Sequence, residues 1–118
     1  MWLATRYGWF SLACAYKDAD SPAGGLDKNK IMIRARRREH LERLKQRFDL
    51  LEPIISTPRN DYPFRLVLPK SVVKPLVADL VGEMTWSNFK GEAEAYVDEP
   101  GYTTGLHEVW GVMRRRLA

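Results

Sequence analysis

Cysteine is nearly missing from this sequence: Cys14 is the only one among 118 residues. That excludes an intrachain disulfide and points to a reducing cytoplasm. Histidine is almost as scarce, with only His40 and His107. Two imidazoles and one thiol do not supply a tetrahedral zinc site of the usual nitrogen and sulfur ligands. Carboxylates alone would suit Mg²⁺ or Mn²⁺, but no E-x-K or H-x-H spacing sets up such a site. No metal ligand and no cofactor is therefore expected. Gly24-Gly25 has no Gly-Lys-Ser/Thr after it, so a phosphate-cradling P-loop is lacking. A G-x-S-x-G nucleophile elbow is lacking too. No apolar run approaches the roughly 18 residues of a membrane-spanning helix, so no membrane partner is expected. Ser11-Leu12-Ala13-Cys14 loosely resembles a lipoprotein cleavage box. The apolar stretch before it is short, however, and only Arg6 flanks it. A strand pair uses those residues better.

What is present describes one globular domain, residues 1–118. The chain is 45% hydrophobic and 11% aromatic, enough for one core and too apolar for disorder. The net charge of +4 is unevenly spread. Residues 1–59 hold 12 basic and 7 acidic side chains, and residues 60–118 hold 7 and 8. Between Lys28 and Arg47 nine cations face only Glu39 and Glu42. Such a stretch would attract phosphate or an acidic protein surface.

Periodicity predicts the elements. Residues 2–7 and 9–16 read as a hairpin. Phe10, Leu12, Cys14 and Tyr16 alternate with Ser11, Ala13 and Ala15, the period of a half-buried strand. Residues 17–29 read as a polar, mobile loop. Residues 31–36 read as a third strand with Ile31, Ile33 and Ala35 toward the core. A helix from Arg38 or Glu39 carries Leu41, Leu44, Phe48 and Leu51 at helical spacing and ends at Pro53. Short strands are predicted at 54–57, 64–68 and 84–86. A second helix covers 71–84, with Pro75 in its first turn. A short helix lies within 87–97. A last helix, capped by Thr103 or Thr104, carries Leu106, Val109, Trp110, Met113 and Leu117. Strands first and helices later imply an α+β fold, an antiparallel sheet with helices packed mainly on one face. A ferredoxin-like sandwich is the nearest common architecture.

Several segments together resemble a known group. They are the opening Met1-Trp2-Leu3-Ala4-Thr5-Arg6-Tyr7-Gly8-Trp9-Phe10-Ser11, Arg34-Ala35-Arg36 with His40-Leu41 and Leu44, Thr57, and Asp61-Tyr62 with Arg65. Asn88-Phe89-Lys90, Tyr102 and Val109-Trp110 complete the set. The set is similar to a family of small bacterial proteins, some carried by phages or mobile elements, whose activity is uncharacterised. The resemblance spans almost the whole chain. It implies a cytosolic single domain and transfers no activity.

Two groups of residues are candidate sites. On the first helix Arg36, His40, Arg43 and Arg47 recur at helical spacing, and Arg43 and Arg47 would contact phosphate or a partner. The plainer alternative is a solvated face with a Glu39–Arg43 ion pair. The second group, Arg34, Arg36, Asp61, Tyr62, Asn88 and Lys90, lies at element edges, with Arg65 nearby. It would form a ligand pocket offering cations, an amide and a stacking ring. The alternative is local: Asp61 in its own turn, Asn88 as a helix cap, Lys90 paired with Glu94. Most aromatics, Trp2 and Trp9 among them, interleave with aliphatics at strand or helix period and read as core; Tyr62 and Trp86 are the ones flanked by polar residues. The first functional reading is a non-enzymatic cytoplasmic domain that binds a phosphate-bearing ligand or nucleic acid. A second is a protein-interaction module such as a phage-borne inhibitor. A third is a small hydrolase or nuclease using Asp61, Lys90 and His107.

Overall fold

The structure, a computed structural model, describes residues 1–18 and 21–118. It is α+β, as the order of elements implied. Five strands form one antiparallel sheet: β1 (Trp2–Thr5), β2 (Gly8–Asp18), β3 (Ser21–Ala35), β4 (Ile55–Ser56) and β5 (Phe64–Pro69). Their spatial order is β1-β2-β3-β5-β4. The helices are α1 (Arg38–Phe48), α2 (Lys70–Gly82), α3 (Phe89–Tyr96) and α4 (Pro100–Arg116). Three strands precede the first helix, whereas a ferredoxin-like sandwich alternates as βαββαβ. Among the described residues no helix is long and apolar enough to cross a membrane.

The expected β1–β2 hairpin is present, in the register Leu3 to Phe10 and Thr5 to Gly8. Its turn is organised by one hydroxyl. Thr5 Oγ1 accepts from the Tyr7 and Gly8 amides at 3.1 and 3.2 Å and donates to the Gly8 carbonyl at 3.0 Å. Pleat alternation then separates two faces of the sheet. Phe10, Leu12, Ile33, Leu66 and Leu68 share one face and are buried. Leu41 and Leu44 of α1 and Val73 of α2 close this core. Each fully buried leucine contributes about 1.5–3 kcal/mol. The opposite face carries Trp2, Trp9, Ser11, Met32, Arg34 and Arg65.

Several boundaries differ from the sequence reading. The expected loop at 17–29 is largely strand. β2 and β3 pair outward to Asp18 and Ser21, with irregular register beyond Cys14. Ala19 and Asp20, part of that expected loop, lie outside the described residues. β3 meets β5 only from Lys30 onward. Its first half therefore pairs with β2 alone, and a ribbon solvated on both faces needs no apolar alternation. α1 stops at Phe48, not Pro53. Asp49 takes the left-handed conformation at φ 52° and its amide bonds to Lys45 O. Leu51 is consequently outside the helix and 92% exposed. Pro75 lies inside α2, past its first turn, where it removes one ladder bond. No strand forms at 84–86. α4 starts with Pro100 at its first turn rather than after a threonine cap.

α3 and α4 build a second, smaller cluster. Ala93, Val97, Tyr102 and Leu106 are buried there, with Trp9 and Phe89 packed against them. The Tyr102 hydroxyl donates to Thr5 O and so ties α4 to the hairpin turn. Of the expected α4 stripe only Leu106 is buried; Val109, Trp110, Met113 and Leu117 are exposed. Among the described residues no apolar element covers the outer half of the helix.

Burial pushes the Tyr102 phenol well above its ordinary value of 10.0. Burial, then the hydrogen bond to Glu83, also pushes up Tyr7. Both folded-state values lie above the unfolded ones, so their contribution is complete below pH about 10 and is lost as pH rises past it. In that range the unfolded chain releases protons that the folded chain retains. Urea melts between about pH 8 and 11 should show stability falling only above about pH 10. Tyr102→Phe should flatten that fall without abolishing it, because Tyr7 remains. A fall of equal steepness in the variant would contradict the assignment.

Candidate functional site

The second face of the sheet positions the polar residues. Arg34 on β3 stands directly across from Arg65 on β5 and beside Ser11 on β2. Arg34 Nη2 donates to Ser11 Oγ at 2.7 Å. Its Nε is buried without a hydrogen-bond partner, and no carboxylate pairs with Arg34 among the described residues. Arg65 is buried, with Nη1 3.7 Å from Met32 Sδ. Two guanidinium groups thus share one sheet face.

The loop between β4 and β5 brings in Asp61 and Tyr62. It is closed by Thr57, whose amide donates to Pro63 O at 2.7 Å and whose hydroxyl donates to Tyr62 O at 3.3 Å. The Tyr62 ring centre lies 5.1 Å from the Arg34 guanidinium and 4.9 Å from that of Arg36. Arg36 Nη2 also donates to both Asp61 oxygens, at 3.3 and 3.1 Å. This ion pair is exposed and contributes under about 1 kcal/mol; it orients groups more than it holds the fold.

A cleft of about 600 Å³ opens beside this cluster. Trp2 and Trp9 line it from the strand pair, their ring centres 5.9 Å apart and tilted by 47°. Arg36, Arg37 and Tyr62 line it from the sheet end and the loop. Gly101, Gly105, Leu106, Val109, Val112 and Met113 line it from α4. Trp2 is 63% exposed. His40 and Arg37, which also line the cleft, reach Glu99, where three cationic or hydrogen-bonding side chains meet. His40 Nδ1 accepts from the Trp9 amide at 3.1 Å, so Nε2 carries the proton that faces Glu99 Oε2 at 2.7 Å. Arg43 Nη2 donates to the same oxygen at 3.1 Å, and Arg37 Nη1 lies 3.6 Å from Oε1.

The sequence-expected site is partly assembled. Arg34, Arg36, Asp61 and Tyr62 come together. Asn88 and Lys90 do not join them. Asn88 caps α3, accepting from the Gly91 amide at 3.3 Å, and Lys90 lies over the Trp110 ring at 4.7 Å rather than beside Glu94. The basic face of α1 is turned to internal use. Arg43 binds Glu99 and Tyr7 O, His40 is buried, and Arg47 pairs with Glu83 at 2.9 Å. The expected Glu39–Arg43 pair gives way to these contacts and to Arg38–Glu42 at 3.0 Å. Trp86 is likewise occupied, its ring centre 5.2 Å from the Arg6 guanidinium. His107 is exposed on α4, and no hydrogen bond or ion pair joins it to Asp61 or Lys90 among the described residues.

Trp2 and Trp9 line the cleft instead of the core, and Arg37 and Glu99 join the site without a sequence pattern that marks them. A signal for the tryptophans exists in the alternation. Trp9 has the parity of Ser11 rather than of Phe10 and Leu12, and Trp2 pairs with Ser11. Nothing local marks Glu99, whose partners are 56 and 59 residues away in sequence. No family model, no curated protein and no solved structure matches this chain.

Proposed function

We propose that this protein is a small cytoplasmic binding domain that takes a short single-stranded nucleic-acid segment in the cleft. One observation carries the reading: Trp2, Trp9 and Tyr62 line the same cleft as Arg36 and Arg37. Flat rings offer stacking surfaces to bases, and guanidinium forks bind phosphate oxygens in pairs. Arg34, pinned to Ser11 behind Tyr62 and lacking a carboxylate among the described residues, adds positive potential there. This reading puts the phosphate contact in the cleft rather than on α1, because Arg43 and Arg47 are held by the largely buried carboxylates of Glu99 and Glu83, whereas Arg36 and Arg37 are exposed and the Arg36–Asp61 pair is open to solvent.

The test is fluorescence anisotropy with a labelled oligothymidine, the same sequence as a duplex serving as competitor. Trp2→Ala should weaken single-strand binding by about 1–3 kcal/mol, the usual value of one stacked base. Its thermal midpoint should barely move, since most of the ring is in solvent. Arg36→Ala should lower the salt slope by about one unit. Absence of saturable binding, or equal affinity of both variants and wild type, would refute the reading.

A second reading has its own observation. Val109, Trp110, Val112 and Met113 leave an apolar surface on α4, each 40–51% exposed, continuous with the cleft. Surfaces of that kind mark protein contacts. Under this reading the domain acts on another protein, as a phage-borne inhibitor would. A complex that persists at high salt and is lost on Trp110→Ala would favour it over nucleic acid.

A further inference from the structure

The molecule has a second concavity that the cleft does not explain. It lies on the helix-covered side of the sheet, between α2 and the strands β2 and β3, with a volume of about 710 Å³. Leu12, Cys14 and Ile31 come from the strands, and Val73, Val77, Ala78 and Val81 come from α2. Lys70 and Lys74, on the same side of α2, stand toward its first turns.

The placement follows from the helix pattern. Residues 70, 73, 74, 77, 78 and 81 recur at spacings of three and one, one continuous helix face. Val73 and Val77 form the inner edge of that face and, with Leu80 beside it, pack on the main core; Leu76 is buried as well. α2 therefore has one apolar edge against the core and another, along Ala78 and Val81, that is not covered among the described residues. Val81 is 65% exposed. Neither lysine forms an ion pair among the described residues. The groove is thus an apolar trough with two unpaired cations toward one end.

The geometry points to a binding site for an amphiphilic anion, a long-chain fatty carboxylate. Its tail would run along Val73, Val77 and Val81, and its carboxylate would meet Lys70 and Lys74. The size lies within the range of small-ligand sites. The charge chooses the headgroup, since a neutral amphiphile would gain nothing from two lysines. Cys14 provides a reporter on the wall. A seated chain would shield its thiol, which has no disulfide partner.

The probe is cis-parinarate, titrated below its micelle concentration and displaced by oleate. We expect one saturable site on the monomer. Ala78→Trp, a substitution at an exposed position, should fill the trough and abolish binding with an unchanged melt. Lys70→Glu combined with Lys74→Glu should weaken oleate by about tenfold or more, as should replacing oleate by oleyl alcohol. Oleate should slow alkylation of Cys14 by a neutral maleimide. No saturable binding, or equal binding of acid and alcohol, would overturn the proposal. Binding only to vesicles that contain fatty acid, never to the free acid, would overturn it as well. A dimer that Ala78→Trp splits and that takes no oleate would replace the carboxylate by a second copy of the chain.

Discussion

Gly8→Ala is expected to cost about 3 kcal/mol or more, at the upper end of overpacking effects. A Cβ at this position would lie 2.3 Å from His40 Cγ, 2.5 Å from its Cβ and 2.6 Å from Nδ1. The imidazole has nowhere to retreat. Its Nδ1 is held by the Trp9 amide and its Nε2 by Glu99. Its ring packs 5.1 Å from Tyr102 and 6.3 Å from Phe10. Either the β1–β2 hairpin or the start of α1 must move, and both belong to the main core. Gly105→Ala is the matched control. Nothing lies within 4 Å of a Cβ there, and alanine in a helix is favoured over glycine by about 1 kcal/mol. Urea melts of the two variants should therefore shift in opposite directions. A Gly8→Ala midpoint equal to wild type would show that the hairpin does not approach α1 as described.

The second large effect is expected at Glu99. Its carboxylate is 11% exposed and receives His40, Arg43 and, more loosely, Arg37. Glu99→Ala leaves a guanidinium and an imidazole N–H facing an apolar gap, and loss of one partner of a buried ion pair costs about 3–5 kcal/mol. The same change cuts the link between α1 and the start of α4. The α3–α4 cluster would then be held to the sheet by Tyr102 on Thr5, by Trp9, by Arg6 on Glu92 and by Tyr7 against Tyr96. Amide exchange should rise across α3 and α4 before it rises in α1. Glu99→Gln should be milder, because an amide oxygen still accepts a hydrogen bond although it lacks the charge. Equal loss in the two variants would indicate that the charge carries the whole effect, and a glutamine variant as stable as wild type would indicate that the charge contributes nothing there. The consequence for binding follows from position: Gly101 and Gly105 line the cleft from the helix that Glu99 anchors. The alanine variant should lose oligonucleotide affinity together with α4 protection.

The α+β class, the hairpin and both core helices are legible along the chain, because each is a periodic pattern of a few neighbouring residues. Phe10 and Leu12, Ile33 and Ala35, Leu41 and Leu44 show in sequence which side of each element is buried. Parity also places Arg34 and Arg36 on one side of a strand, and the loop carrying Asp61 and Tyr62 does reach them. Periodicity fails where an element has no partner. The stripe on α4 is as regular as that on α1, yet beyond Leu106 its residues stay exposed, with only Lys90 and Arg114 over the Trp110 ring among the described residues. Polar strand residues fail the opposite way. Residues 21–30 show no apolar alternation, but Ser21, Leu26 and Asp27 pair with β2, and pairing of amides and carbonyls does not depend on side-chain character.

What the sequence by itself determined is the α+β class, the hairpin, the main core and the shared side of Arg34 and Arg36, the latter one residue past the end of β3. What only the tertiary structure decided is which cations are free to act. Arg43 and Arg47 read as an open basic face because local spacing says nothing about Glu99 and Glu83. Those carboxylates arrive from 56 and 36 residues away and draw both side chains inward. Trp2 and Trp9 changed role in the opposite sense, from expected core to cleft wall. The sheet has two faces, and only packing decides which of them the helices cover. Local geometry propagates over a few residues, whereas charge pairing and burial are settled by groups that meet only once the chain has folded.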